Sequence, residues 1–180
     1  MKMTRGEFGA KAAGLLGFLA VGSGCGTTGV GLRYASRGEL HRDFHASVLD
    51  GVNYLIDNFG EDSARRVLEK TGTKVYRQMH EKLVRGDSSE LIDYWRYYFG
   101  REGGKFRLDE GEDGTATLTV EACPSLGHLA RRGISGGKRV CWATRILNDA
   151  LCKDSPFEIV LEETGDFSCR QVLRRKGGAA

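Results

Sequence analysis

Apolar residues recur at steps of three and four from Arg37 to Asn58, where Leu40, Phe44, Val48, Val52 and Leu55 share one side of a helix. Gly60 follows as a stop, because glycine accepts the left-handed geometry of a helix C-terminus. Asp62 and Ser63 then offer capping oxygens to a second helix that runs to about Val84, carrying Val67, Leu68, Val75, Met79 and Leu83, with Gly86 behind it. A third helix is predicted from Ser88 to Phe99; Tyr94, Trp95, Tyr97, Tyr98 and Phe99 form an aromatic stripe, and Gly103 and Gly104 end it. From Lys105 the period changes to two. Lys105–Asp109 and Thr115–Cys123 alternate apolar and polar positions around the turn residues Gly111, Asp113 and Gly114, which predicts a β-hairpin closed by Pro124. Helical spacing returns over Cys141–Cys152 through Trp142, Ile146, Leu147, Ala150 and Leu151. Two strands follow, Phe157–Glu163 and Ser168–Leu173, joined at Thr164-Gly165-Asp166. The expected fold is α+β: N-terminal helices packed on an antiparallel sheet, with a β-β-α-β-β C-terminal half.

Ahead of these elements lies a stretch of different character. Residues 1–25 put Lys2, Arg5 and Lys11 before an apolar run from Ala12 to Val21, then small residues up to Cys25. That order is the pattern of an export signal, and the run is too short for the ~20 residues of a membrane-spanning helix. The segment resembles a twin-arginine signal with a lipoprotein cleavage site. Thr4-Arg5-Gly6-Glu7-Phe8 follows the Ser/Thr-Arg-Arg-x-Phe core with Gly6 in place of the second arginine, and Val21-Gly22-Ser23-Gly24-Cys25 stands where a lipobox would. The plainer alternative is a buried helix followed by a glycine-rich loop. On the export reading the protein is expected in the periplasm or at the cell surface, anchored to the membrane by lipid on Cys25. Residues 26–36 are then a small, glycine-rich tether, and 37–176 a single α+β domain.

The net charge of +3 changes meaning once that segment is set aside, since the remainder holds 24 basic and 23 acidic residues. Arg174, Arg175 and Lys176 near the end read as a solvated terminus. With no clustered basic excess, nucleic acid is not an expected partner. The aromatic stripe reads first as core, with a ligand pocket as the functional alternative. His41 and His45 are four apart and share a helix face, so they could hold a metal together, or simply be exposed polar positions.

The chemistry concentrates in Cys123, Cys141, Cys152 and Cys169, whose spacings match no zinc finger or ribbon. Four readings stand side by side. The cysteines could form two disulfides, in any of three connectivities, outside the cytoplasm. They could ligate a metal, zinc being the candidate cofactor, if the fold gathers them. One could be a nucleophile activated by a neighbouring histidine, as His128 lies five residues after Cys123. Or they could be small buried apolar residues.

Three short motifs carry a family resemblance. Phe59-Gly60-Glu61-Asp62-Ser63-Ala64-Arg65-Arg66 fits a Gly-Glu-x-x-Ala helix start, Val120-Glu121-Ala122-Cys123-Pro124 a strand ending in Cys-Pro, and Gly165-Asp166-Phe167-Ser168-Cys169 a closing hairpin with Gly-Asp-x-x-Cys. A later cysteine opens a helix between the last two. From about Asp43 to Arg174 the chain resembles the L-2-amino-thiazoline-4-carboxylic acid hydrolase family and, more distantly, 4-vinyl reductase small-molecule-binding domains. The resemblance implies a ligand-enclosing α+β domain and, in enzymes of the family, hydrolytic opening of a cyclic thiazoline to an N-carbamoyl amino acid. Such a reaction needs a nucleophile at the C=N carbon, a proton donor and a cation for the substrate carboxylate. Cys123 and His128 are the candidates for nucleophile and acid/base, Arg131 or Arg145 for the carboxylate, and Trp142 for a further substrate contact. The competing expectation is a non-enzymatic module that binds a small molecule or metal through the same cysteines, and a third is a disulfide-stapled structural lipoprotein.

Overall fold

The computed structural model describes residues 39–177, with side chains from 46 to 136 and from 139 to 177. The expected signal, the tether and Cys25 lie outside these residues, as do the side chains of His41 and His45. Helix α1 spans Glu39–Phe59, and the chain turns at Gly60, whose φ of 81° suits a residue without a Cβ. Helix α2 covers Glu61–Lys70 and passes through a π-helical turn, Thr71–Val75, into α3, Arg77–Val84. The single helix expected over 62–84 is therefore interrupted. The extra residue per turn brings Gly72 against the last helix of the fold, where an added Cβ would stand 2.6 Å from that of Ala150. The Asp87 carboxylate accepts from the Ser89 N–H at 2.9 Å as α4 begins, Ser89–Arg101. At its end Gly104 N–H donates to Phe99 O at 2.9 Å, closing the last turn before the strands.

Strands β1, Lys105–Glu110, and β2, Ala116–Ala122, form the expected hairpin. Pro124 ends the strand but also begins a helix, α5, Pro124–Arg131, which the pattern of polar and apolar positions does not show. Proline suits the first position of a helix because its missing N–H would have no partner there. Helix α6, Gly137–Leu151, starts a turn earlier than expected, so Cys141 lies inside it and does not open it. Strands β3, Phe157–Gly165, and β4, Ser168–Arg175, complete an antiparallel sheet in the order β1-β2-β4-β3. The fold is α+β as expected, with β-β-α-α-β-β in place of β-β-α-β-β.

Side chains alternate across the two central strands. Ala116, Leu118 and Val120 of β2 and Gln171 and Leu173 of β4 are buried, whereas Glu121 and Arg170 are exposed, so one sheet face carries the core. The buried side chains form two clusters. The larger joins α3, α4 and the sheet through Leu83, Leu91, Trp95, Phe99, Leu118 and Phe157. The smaller joins α1, α2 and α6 through Val52, Leu68, Ala143 and Ile146. His80 belongs to the packing: its Nδ1 lies 3.0 Å from Leu151 O and ties α3 to the end of α6.

Candidate functional site

A cavity of about 370 Å³ separates the two clusters, with walls drawn from both: Val52, Leu68 and Ala143 on one side, Leu91, Trp95 and Phe99 on the other. Its size lies near the low end of the ~300–1,000 Å³ typical of small-molecule sites. Its walls are mostly apolar, and the polar groups fall into three sets.

The first is a phenol wall. Residues three and four apart on α4 share a face, so Leu91, Tyr94, Trp95 and Tyr98 all reach the cavity, while Tyr97 does not line it and is exposed. Tyr94 and Tyr98 stack with ring centroids 5.9 Å apart, and Tyr76, placed by the π-helical turn, meets Tyr94 edge-on at 6.2 Å. The Tyr98 hydroxyl lies 2.6 Å from that of Ser125 at the start of α5. Burial raises both Tyr94 and Tyr98. Tyr98 is pushed up to about 12, with the Ser125 hydrogen bond opposing the shift. Both phenols are therefore neutral at pH 7.

The second set is three thiols from three elements: Cys123 just before α5, Cys141 on α6 and Cys169 on β4. Burial raises each of them, and Cys169 is pushed up to about 12 by burial and by the neighbouring Cys123 and Cys141. The amides of Leu126 and Ser125 at the start of α5 pull Cys123 the other way without cancelling the effect of burial. At neutral pH these groups are thiols, not thiolates.

The third set lies on the sheet side. Asn148 of α6 donates to Gln171 of β4 at 2.9 Å, and both side chains are 5% exposed. Arg139 is the cation on the wall; it donates to Asn53 Oδ1 at 2.7 Å and lies 3.6 Å from Asp57, both on α1. No carboxylate lines the cavity among the described residues.

Of the residues singled out from the sequence, Cys123, Cys141 and Cys169 meet at this cavity. Cys152 does not. It sits at the far end of α6, where its carbonyl accepts from Ser155 Oγ and Lys176 Nζ. Eleven residues along one helix separate it from Cys141, roughly 16 Å. That distance rules out a shared metal ion and also a disulfide, which needs Cα atoms within about 7 Å. All four described cysteines are free thiols. Among the described residues no three His, Cys, Asp or Glu side chains are grouped to hold an ion. The metal set Cys123, Cys141, Cys152 and Cys169 is thus not gathered as a whole, Cys152 lying apart from the three that line the cavity.

His128 is buried on α5 but does not line the cavity. Cys123 precedes α5 in extended backbone and lines the cavity, whereas His128 lies within the helix. Arg131 is exposed on α5, Arg145 pairs with Glu163 at 2.6 Å, and Trp142 packs on the smaller cluster with Arg65 5.8 Å from its ring centroid. None of the three lines the cavity. The residues sequence reasoning missed are Tyr76, Ser125, Arg139, Asn148 and Gln171. The spacing Cys141-Thr144-Asn148, a polar line within an apolar helix face, was the available signal for one of them. Comparison of the chain with protein-family models, with curated proteins and with solved structures gives no match.

Proposed function

We propose that this domain is a non-enzymatic small-molecule-binding module whose ligand occupies the cavity between the α1–α2–α6 cluster and the α3–α4–sheet cluster. The observation that carries the reading is the cavity itself: a space with apolar and aromatic walls and a few converging polar groups. A ligand that occupies it makes contacts with those walls and, by binding the folded chain, adds stability. The absence of carboxylates among the described lining residues, with Arg139 at the wall, favours a neutral or singly anionic ligand.

The thiol states support binding over hydrolysis. Opening a thiazoline through Cys123 would require a thiolate, whereas burial holds that group as a thiol, and His128 is absent from the cavity lining. Export and lipid anchoring on Cys25 belong to the same proposal: a module held at the membrane surface that meets its ligand outside the cytoplasm.

The test is thermal unfolding of the full chain with and without indane, an apolar bicycle small enough for the cavity. A concentration-dependent rise in melting temperature is expected, and no rise at saturation with either indane or its lactam analogue oxindole would overturn the reading. Incubation with 2-amino-thiazoline-4-carboxylate provides the second arm. Release of N-carbamoyl cysteine, lost on Cys123→Ser, would replace the binding module with the ring-opening hydrolase.

A further inference from the structure

Helix α6 turns one polar line toward the cavity, Cys141, Thr144 and Asn148 at steps of three and four. Strand β4 faces it with Cys169 and Gln171, two apart and so on one side of the strand. Within this band Thr144 is already engaged, its hydroxyl donating to Val140 O at 2.9 Å. The two amides are engaged only with each other: Asn148 Nδ2 donates to Gln171 Oε1 at 2.9 Å, and among the described residues neither side chain has a further partner. That leaves the Asn148 oxygen as an acceptor and N–H groups on both residues as donors, on two residues that are 95% buried at the cavity wall. Turning both amides over exchanges which residue keeps the unbonded oxygen, but an acceptor and donors remain at the wall.

A molecule that fills the cavity would shut these amide groups off from water, and amide groups buried without partners are costly, so it must answer them. A purely apolar molecule leaves both unmet. A carboxylate offers only acceptors and would set a negative charge against the amide oxygen. A group with an N–H beside a C=O, as in a lactam or other cis-amide, satisfies both at once.

From this pairing we infer that the ligand is a compact, flat, neutral molecule with a lactam-type N–H/C=O edge, held by Asn148 and Gln171, with its apolar part against Trp95 and the tyrosines. The inference rests on the cavity being the binding site. It makes Asn148 and Gln171 the specificity-determining residues and the thiols of Cys141 and Cys169 neutral neighbours of the polar edge.

Three bicyclic probes test it on the full chain: oxindole, which has the lactam edge; N-methyloxindole, which keeps the carbonyl but blocks the N–H; and indane, which has neither. Oxindole is expected to bind at least about tenfold more tightly than the other two, the margin two buried hydrogen bonds supply. Gln171→Leu, close in volume and apolar, is expected to erase that margin while indane binding persists. The comparison among probes on the unaltered protein does not depend on the variant folding. Indane binding as tightly as oxindole would overturn the lactam inference and leave the cavity reading standing. If none of the probes binds, both fall.

Discussion

Burial penalises a thiolate or phenolate far more than the neutral group, and Cys152, Cys169 and Tyr98 are among the side chains that record this with the same sign. Cys152, pushed up to about 12 chiefly by burial, with Lys176 opposing, is the deepest of them. Its folded value lies above the usual 9.0. As pH rises the unfolded chain therefore loses this proton first, and the stabilisation is complete below about pH 9 and disappears progressively toward 12. Cys169 and Tyr98 add to the same alkaline loss. The urea midpoint is expected to fall from about pH 9 upward, and Cys152→Ala to make that fall shallower; an unchanged slope would remove the thiol as its source. The Tyr98–Ser125 hydroxyl pair makes a different prediction. Tyr98→Phe deletes one partner of a 2.6 Å bond and strands the buried Ser125 hydroxyl, so a loss of about 1 kcal/mol is expected from denaturant titration. Adding Ser125→Ala should restore part of it, because the orphaned group is then gone.

Between α2 and α3 the π-helical turn resolves a conflict between regular helix and close packing. A uniform helix from 62 to 84 satisfies the apolar spacing, but the extra residue sets Gly72 against Ala150 of α6 and directs Tyr76 to the cavity. Periodicity over so long a stretch tolerates one added residue without visible change, which is why the interruption is not legible in the sequence. Gly72→Ala is expected to cost about 1–3 kcal/mol, because its methyl group would meet another at 2.6 Å. Ala150→Gly in the same chain removes the opposing methyl and should recover much of the loss in a thermal melt, beyond what the two single changes sum to. Additive losses would place the strain elsewhere. Helix α5 was hidden for a different reason: proline and glycine within Cys123-Pro124-Ser125-Leu126-Gly127-His128 read as breakers, although proline at a first helical position is favourable.

The strands, four of the helices and the packing of helices on one sheet face follow from local periodicity and were readable for that reason. The cavity is a property of the whole molecule, since its polar contacts join residues distant in the chain, Tyr98 to Ser125 and Asn148 to Gln171. Cysteine chemistry drew attention in the sequence, and the fold brings Cys123, Cys141 and Cys169 to the cavity but leaves Cys152 apart; beside them stand tyrosines of the aromatic stripe and the amides of Asn148 and Gln171, which the sequence did not single out. On the binding reading, a ligand that contacts both clusters adds stability to the folded chain. Ala143 stands on the dividing wall, in the smaller cluster and facing the space. In a filled core, Ala143→Leu would overpack and lose about 1–3 kcal/mol. Here the added atoms have room, so the melting temperature of the ligand-free protein is expected to hold or rise, while indane affinity falls at least about tenfold, or 1.4 kcal/mol. A destabilised Ala143→Leu variant that still binds indane would mean that the ligand uses other space. Retained stability with lost binding would locate the ligand between the two clusters, where the walls of α4, α6 and β4 converge.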